Sequence, residues 1–285
     1  NDAEGTSCGG TPSNCDGTLT GFSNTSGQDV TAGSGWTSDN RRWGAGALML
    51  DGSDDIVTIT QNSAININQG DSFTVSAWVK TNLGNSERYI VNKQQNITNE
   101  FGYTLKTNSS NQAYFDVLKQ SVGNNNVTSS ESLEPGKWYF LTGVSDGSTI
   151  YLYVNGKQVD STSITISGAT QSNANLYFGQ FYNSTLRWSG NIDSIQYYSR
   201  NLSANEILSN YNAGQLEFQT RTSSDGSSWE AWKPTTNEGQ VLTFDNESDN
   251  FELDLSSDTP NTLSLENTNP STPTAPTSCS SSKPV

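Results

Sequence analysis

No histidine occurs among the 285 residues. That removes His-based nucleophilic triads, imidazole general bases and histidine metal ligands together. Carboxylates remain. Glu247, Asp249 and Glu252 in "ESDNFE" have a Glu-x-Asp-x-x-Glu spacing, and paired carboxylates are the machinery of glycoside hydrolysis. The intervening Ser248 and Asn250 are polar where a buried strand would carry apolar side chains, so the ordinary reading is a chance spacing. "LDGSDD" (50–55) gathers Asp51, Asp54 and Asp55 around a glycine turn. Ca²⁺ takes roughly six to eight oxygens, often from carboxylates and turn carbonyls. The competing reading is a solvated turn in which Asp51 accepts backbone N–H bonds.

Aromatic side chains offer a third chemistry, stacking on sugar rings. Trp36, Trp43, Tyr182 and Trp188 lie in polar, loop-like stretches, and "QFYNSTLRWSG" (180–190) joins Tyr182, Arg187 and Trp188. Tyr182, Arg187, Trp188 and Trp36 are therefore candidate ligand contacts, weighed against core packing. Trp78 and Trp138 sit in strand-like runs and read as core. The glycine-rich "GAGALML" and "GSGW" lack the strand–loop–helix context of a phosphate cradle.

The elements that must position these groups are short. "DSFTVSAWVK" (71–80), "RYIVNK" (88–93), "GYTLKT" (102–107), "AYFDVLK" (113–119) and "KWYFLTGV" (137–144) read as strands. "TIYLYVNGKQVDS" (149–161) reads as two strands joined at Asn155-Gly156, a pair that accepts the positive φ angles of a type I′ turn. "NLYFGQF" (175–181) and "NIDSIQYY" (191–198) follow. Regularly spaced short strands argue for a double-sheet sandwich or jelly roll. The single helix is expected near 203–211, with Ser203 as N-cap, Glu206 completing a capping box, and Gly214 at its end. After it, 215–234, 240–245 and 250–255 read as a small β segment. From about Asn267 a Ser/Thr/Pro-rich stretch reads as a linker.

Composition narrows the function classes. Apolar residues make up 31%, and the core must be built from seven Trp, eleven Tyr and ten Phe. The net charge of −15, with 14 dispersed basic residues, disfavours nucleic acid and anionic lipid as partners. No run approaches the roughly 20 apolar residues of a membrane span. Residue 1 is Asn, so the chain reads as a piece of something longer. Cys8 and Cys15 enclose a turn-rich loop that a disulfide would close, whereas Cys279 has no evident partner. Sequons at Asn24, Asn96, Asn108, Asn126, Asn183, Asn201 and Asn246 fit an outer-surface location.

"GALMLDGSDDIVTI", "SFTVSAWVK", "PGKWYFLTGV", "IYLYVNGKQV" and "GNIDSIQYYSRNLSANEI" occur in this order. In these segments the chain resembles the laminin-G-like, concanavalin A-like jelly-roll family over residues 1–214. The resemblance implies an all-β two-sheet sandwich closed by one helix. An accessory β segment (215–266) and a tail (267–285) would follow. It implies a structural Ca²⁺ held by Asp193, the Gly52 turn and the region of Asp2. It also implies a non-catalytic recognition or adhesion module, extracellular or on a cell surface, with a carbohydrate or surface protein as partner. A structural subunit of an extracellular filament is the alternative, and a polysaccharide lyase or hydrolase the third reading. Two departures stand out. Ser194 follows Asp193 where the family often has a second acidic residue. No strand precedes Asn1, so the sheet edge beside 191–198 is expected to accept an added strand, either 216–222 or a neighbouring chain in self-assembly.

Overall fold

The computed structural model describes residues 17–24, 33–38, 40–42, 46–61, 65–82, 87–94, 101–119, 123–165, 167–168, 172–182, 186–214, 218–223, 233–234 and 250–255. In chain order the strands are β1 (Gly17–Thr20), β2 (Gly35–Thr37), β3 (Ala47–Asp51), β4 (Ile56–Ile59), β5 (Ser72–Thr81) and β6 (Arg88–Lys93). Next come β7 (Phe101–Thr107), β8 (Gln112–Lys119), β9 (Gly123–Ser132), β10 (Trp138–Asp146), β11 (Thr149–Val154) and β12 (Lys157–Ser163). β13 (Leu176–Phe178), β14 (Ser189–Tyr198) and helix α1 (Ala204–Ala213) complete the first unit, residues 1–215. A separate unit, 216–285, contains β15 (Phe218–Ser223), β16 (Lys233–Pro234) and β17 (Asn250–Leu255) in the order β16-β15-β17.

Two antiparallel seven-stranded sheets form the sandwich. The first runs β1-β4-β13-β6-β7-β8-β9 and the second β12-β11-β10-β5-β14-β3-β2. Period-two alternation explains why they close on each other. In β5, Phe73, Val75, Ala77 and Val79 face inward. Opposite them stand Tyr103 and Leu105 of β7, Phe115 and Val117 of β8, and Val127 of β9, all buried. Phe73 is the hub of the aromatic packing, 4.8 Å from the Tyr103 ring and 6.3 Å from that of Phe115.

The outer face of the second sheet buries a smaller cluster under α1. Trp78, Phe140, Val144 and Tyr153 meet Leu202 and Ile207 there, and Trp138 packs half-buried beside them. Ser203 caps the helix through the Glu206 N–H, and Glu206 answers with a bond from the Ser203 N–H at 2.8 Å. Leu208, at 43% exposure, is not buried by the helix, so Ile207 and Tyr211 make the seam. Gly214 ends the helix with φ −75°, an ordinary right-handed value. Its glycine is required by space instead, since a Cβ would sit 2.5 Å from Trp78 Nε1.

Asn155 (φ 52°) and Gly156 (φ 76°) form the tight hairpin turn, with Val154 opposite Lys157. A Cβ on Gly156 would meet Leu208 Cδ1 at 3.0 Å and Tyr211 Cβ at 3.2 Å. Gly156→Val adds a β-branched side chain where φ is positive and a helix is in the way. Its unfolding free energy should fall by about 2–3 kcal/mol; an unchanged urea midpoint would contradict this turn.

The edge expected beside 191–198 is corrected at 191–192, where β3 already occupies it. β14 lies inside its sheet, with β5 along 190–198 and β3 along 189–192. The segment proposed to fill that edge pairs elsewhere: Phe218–Ser223 of β15 faces β17. Among the described residues, 194–198 carry no ladder partner on the β3 side. A bulge follows Asp193, and Ser194 adopts φ 46° there, which breaks the ladder where the family pattern places a second acidic residue.

Candidate functional site

Alternation that sends Tyr103, Leu105, Phe115 and Val117 inward sends the intervening residues outward. Register then aligns them in two rows across the outer face of the first sheet. One row is Tyr89–Lys106–Tyr114–Thr128, on β6, β7, β8 and β9. The other is Tyr177–Asn92–Thr104–Asp116–Asn126, starting on β13. Residues two apart along a strand put these rows about 7 Å from each other.

Lys106 is the centre of the first row. Its ammonium lies 4.9 Å from the Tyr89 ring centroid and 4.6 Å from that of Tyr114, clamped between two π faces. Glu87 Oε1 accepts from it at 2.7 Å and from the Tyr89 hydroxyl at 3.2 Å. The Lys106 side chain is 12% exposed. Burial pulls its pKa down, but the Asp116 carboxylate and the Glu87 bond outweigh this and hold it above the usual lysine range. The amine is therefore locked as a cation and unsuited to act as base or nucleophile. Burial drives the Tyr89 phenol up to about 12, with Lys106 opposing, so it remains a neutral donor.

The second row is more deeply set. Asp116, 4% exposed, accepts a hydrogen bond from the Thr104 hydroxyl. Asn92 is buried, and its Nδ2 donates to Gln94 O at 2.9 Å. Its carbonyl Oδ1 has no hydrogen-bond partner among the described residues, an uncommon state for a buried polar atom. Rings flank the rows: Phe181 lies 5.0 Å from Tyr89, and Tyr182 stands edge-on to Tyr177 at 6.5 Å.

Of the aromatic candidates, Tyr182 joins this face and Arg187 is half-exposed nearby in sequence. Trp188 is corrected: it is 0% exposed within the inter-sheet core and offers no surface to a ligand. Trp36 is also drawn to packing, half-buried against the same core. Trp43 lies outside the described residues.

Of the metal set implied by the resemblance, the two parts among the described residues, the Gly52 turn and Asp193, lie apart. Gly52 packs on Ser189, where its Cβ would lie 2.8 Å from the Ser189 Cβ. Asp193 is four positions farther along β14, about 13 Å at strand rise. Its carboxylate accepts the Arg42 N–H at 2.7 Å and the Ser194 hydroxyl at 3.1 Å, and the Arg42 guanidinium lies over Trp78 at 4.8 Å. Asp193 thus anchors the 40–42 segment to the sheet. Asp2, like Cys8, Cys15 and Cys279, lies outside the described residues.

Asp51, Asp54 and Asp55 do meet, with oxygens within 4.8 Å of one another. Asp51 accepts the Ser53 N–H at 2.7 Å, the Asx-turn reading. Asp55, 0% exposed, accepts from the Ser34 hydroxyl at 2.9 Å and the Asp51 N–H at 2.7 Å. Desolvation raises its pKa from 3.8 to about 6. The folded state therefore holds this proton more tightly than the unfolded chain. Stability from this group is greatest below about pH 4 and is lost as pH rises through about 6, by on the order of 2 kcal/mol. Asp55→Asn imitates the protonated acid. Thermal melts should show the wild type losing stability from pH 4 to 6 and the variant flat across that window. Parallel profiles would contradict the assignment.

Asn126 and Asn201 are exposed, whereas the Asn108 amide is committed to Ser110 and Gln112. Asn24 is half-buried, and Asn96, Asn183 and Asn246 lie outside the described residues. Of the Glu-x-Asp-x-x-Glu group only Glu252 is described, opposite Arg221 in the separate three-stranded sheet.

The laminin G model of the concanavalin A-like lectin/glucanases superfamily matches residues 51–208. The chain belongs to this superfamily. No curated protein sequence matches it. Among solved structures, the binding domain of Paraclostridial mosquitocidal protein 1 is 18% identical with a TM-score of 0.55, covering 70% of this chain and 48% of that one. Domain 4 of AbnA, an extracellular GH43 arabinanase from Geobacillus stearothermophilus in complex with arabinotriose, is 17% identical (TM-score 0.51; 68% and 87% covered). Botulinum neurotoxin type C, described as dependent on two ganglioside molecules to enter cells, is 14% identical (TM-score 0.50; 73% and 52% covered). The chain spans about half the length of both toxin structures. At these identities the likeness is one of fold.

Proposed function

We propose that the sandwich is a non-catalytic glycan-recognition module of a secreted or cell-surface protein. Its binding face is the outer face of the first sheet. The observation that carries this reading is the double row of rings and polar groups centred on Lys106 between Tyr89 and Tyr114. The half-exposed rings of Tyr114, Tyr177 and Tyr182 accept the C–H face of a sugar, while Glu87 and Thr128, also half-exposed, stand beside them for the hydroxyls and the buried Asn92 and Asp116 lie beneath. The arabinotriose and ganglioside ligands named for two proteins of similar fold support the same use of this architecture.

A glycan array probed with the full chain tests the proposal. Binding is expected to a related set of oligosaccharides, in the micromolar-to-millimolar range. No signal across the array, repeated by titration with arabino- and galacto-oligosaccharides, would contradict it.

A further inference from the structure

We infer that the ligand of this face is an uncharged glycan, and that the face discriminates against sialylated or uronic-acid chains. This rests on the glycan-recognition reading above and concerns its charge class. Lys106 is the cation of the two rows, and its charge is already used. Glu87 lies 2.7 Å from the ammonium, Asp116 contributes a second carboxylate, and two rings cover the amine's flanks. The rows themselves carry one carboxylate, Asp116, and Glu87 beside the first row adds a second against the one ammonium, within a chain of net charge −15. With the rows about 7 Å apart and a Debye length of about 8 Å at physiological salt, a ligand on either row feels both carboxylates.

Hydrogen-bonding capacity points the same way. Asn92 Oδ1 is a buried acceptor without a partner among the described residues, and the carboxylates of Asp116 and Glu87, which already accept from Thr104 and Lys106, add acceptors and no donor. Sugar hydroxyls are donors and satisfy such a surface. A ligand carboxylate would set acceptor against acceptor and charge against like charge. Gangliosides carry sialic acid, so this chain is expected to differ in ligand from the toxin named above despite the common fold.

The test is titration of the full chain with matched pairs: a neutral galactose-terminated oligosaccharide and its sialylated form, and an arabinan or galactan fragment and a galacturonate oligomer. At 0.05 M salt the neutral member of the binding pair should bind at least tenfold more tightly, and 1 M NaCl should narrow the gap. Glu87→Gln, which removes one carboxylate from the Lys106 ammonium, should raise the anionic-to-neutral affinity ratio several-fold. Equal or tighter binding of the anionic member, weakening with salt, overturns the charge inference and leaves glycan recognition standing. A ratio unmoved by Glu87→Gln also overturns it. Absence of binding by both members of every pair overturns the glycan reading and this inference with it.

Discussion

Gly143→Val is expected to lower the melting temperature of the sandwich by about 10 °C, from a loss of about 3 kcal/mol. Gly143 lies on β10 between Val75 of β5 and Leu152 of β11. A Cβ there would stand 2.4 Å from Cδ2 and 2.6 Å from Cγ and Cε2 of Phe115 in the opposite sheet. Phe115 is itself buried and shares the aromatic cluster with Phe73, so it has little room to retreat. Glycine at this point lets a phenyl ring reach across the inter-sheet gap. Phe115→Leu in the Gly143→Val background should return about 1 kcal/mol, because the smaller side chain relieves the overlap. A Gly143→Val protein as stable as wild type would mean that the sheets do not pack in this way.

Tyr114→Ala is expected to weaken glycan binding by tenfold or more with little change in melting temperature. The ring is half-exposed on β8 and supports the Lys106 ammonium at 4.6 Å, so its removal takes away a stacking surface and frees the amine to swing. Truncation of a central aromatic contact typically costs about 2 kcal/mol or more of binding. Tyr114→Phe keeps the ring and should retain most of the affinity. Full binding by Tyr114→Ala, measured by calorimetric titration, would remove the first row from the binding face.

Much of the fold is legible in the chain because alternation and turn chemistry are local. "TIYLYVNGKQV" carries its own strand pattern and its own turn, and the structure places the turn at Asn155-Gly156. Ser203 and Glu206 announce the helix start by spacing alone. β9 is different: "GNNNVTSSES" has weak intrinsic strand preference, and its existence depends on β8, which supplies the ladder. Trp188 looks like a loop aromatic because its neighbours are polar; only the tertiary fold carries it into the core. Gly214 reads simply as the end of the helix, yet the reason for a glycine there is the Trp78 indole, a long-range contact.

The candidate site was half legible. Tyr114 and Asp116 alternate with Phe115 and Val117, and Thr104 and Lys106 alternate with Tyr103 and Leu105, so their outward direction can be read from the pattern. Their meeting cannot, because it depends on pairing register: Lys106 opposite Tyr114 on one side and Tyr89 on the other. The bulge between Tyr89 and Val91 adjusts that register, and no sequence signal marks it. Asp193 is a carboxylate inside a strand, and one of the donors that it holds, the Arg42 N–H, is 151 positions away in the chain.

The central claim is that a glycan lies on the outer face of the first sheet. Chemical-shift perturbation on isotopically labelled protein, titrated with the strongest array ligand, tests it most directly. The predicted result is a contiguous set of shifts at Tyr89, Asn92, Thr104, Lys106, Tyr114, Asp116 and Thr128, with the Lys106 side-chain signals among the largest. Shifts confined to the seam of Trp78, Phe140 and α1 would contradict it.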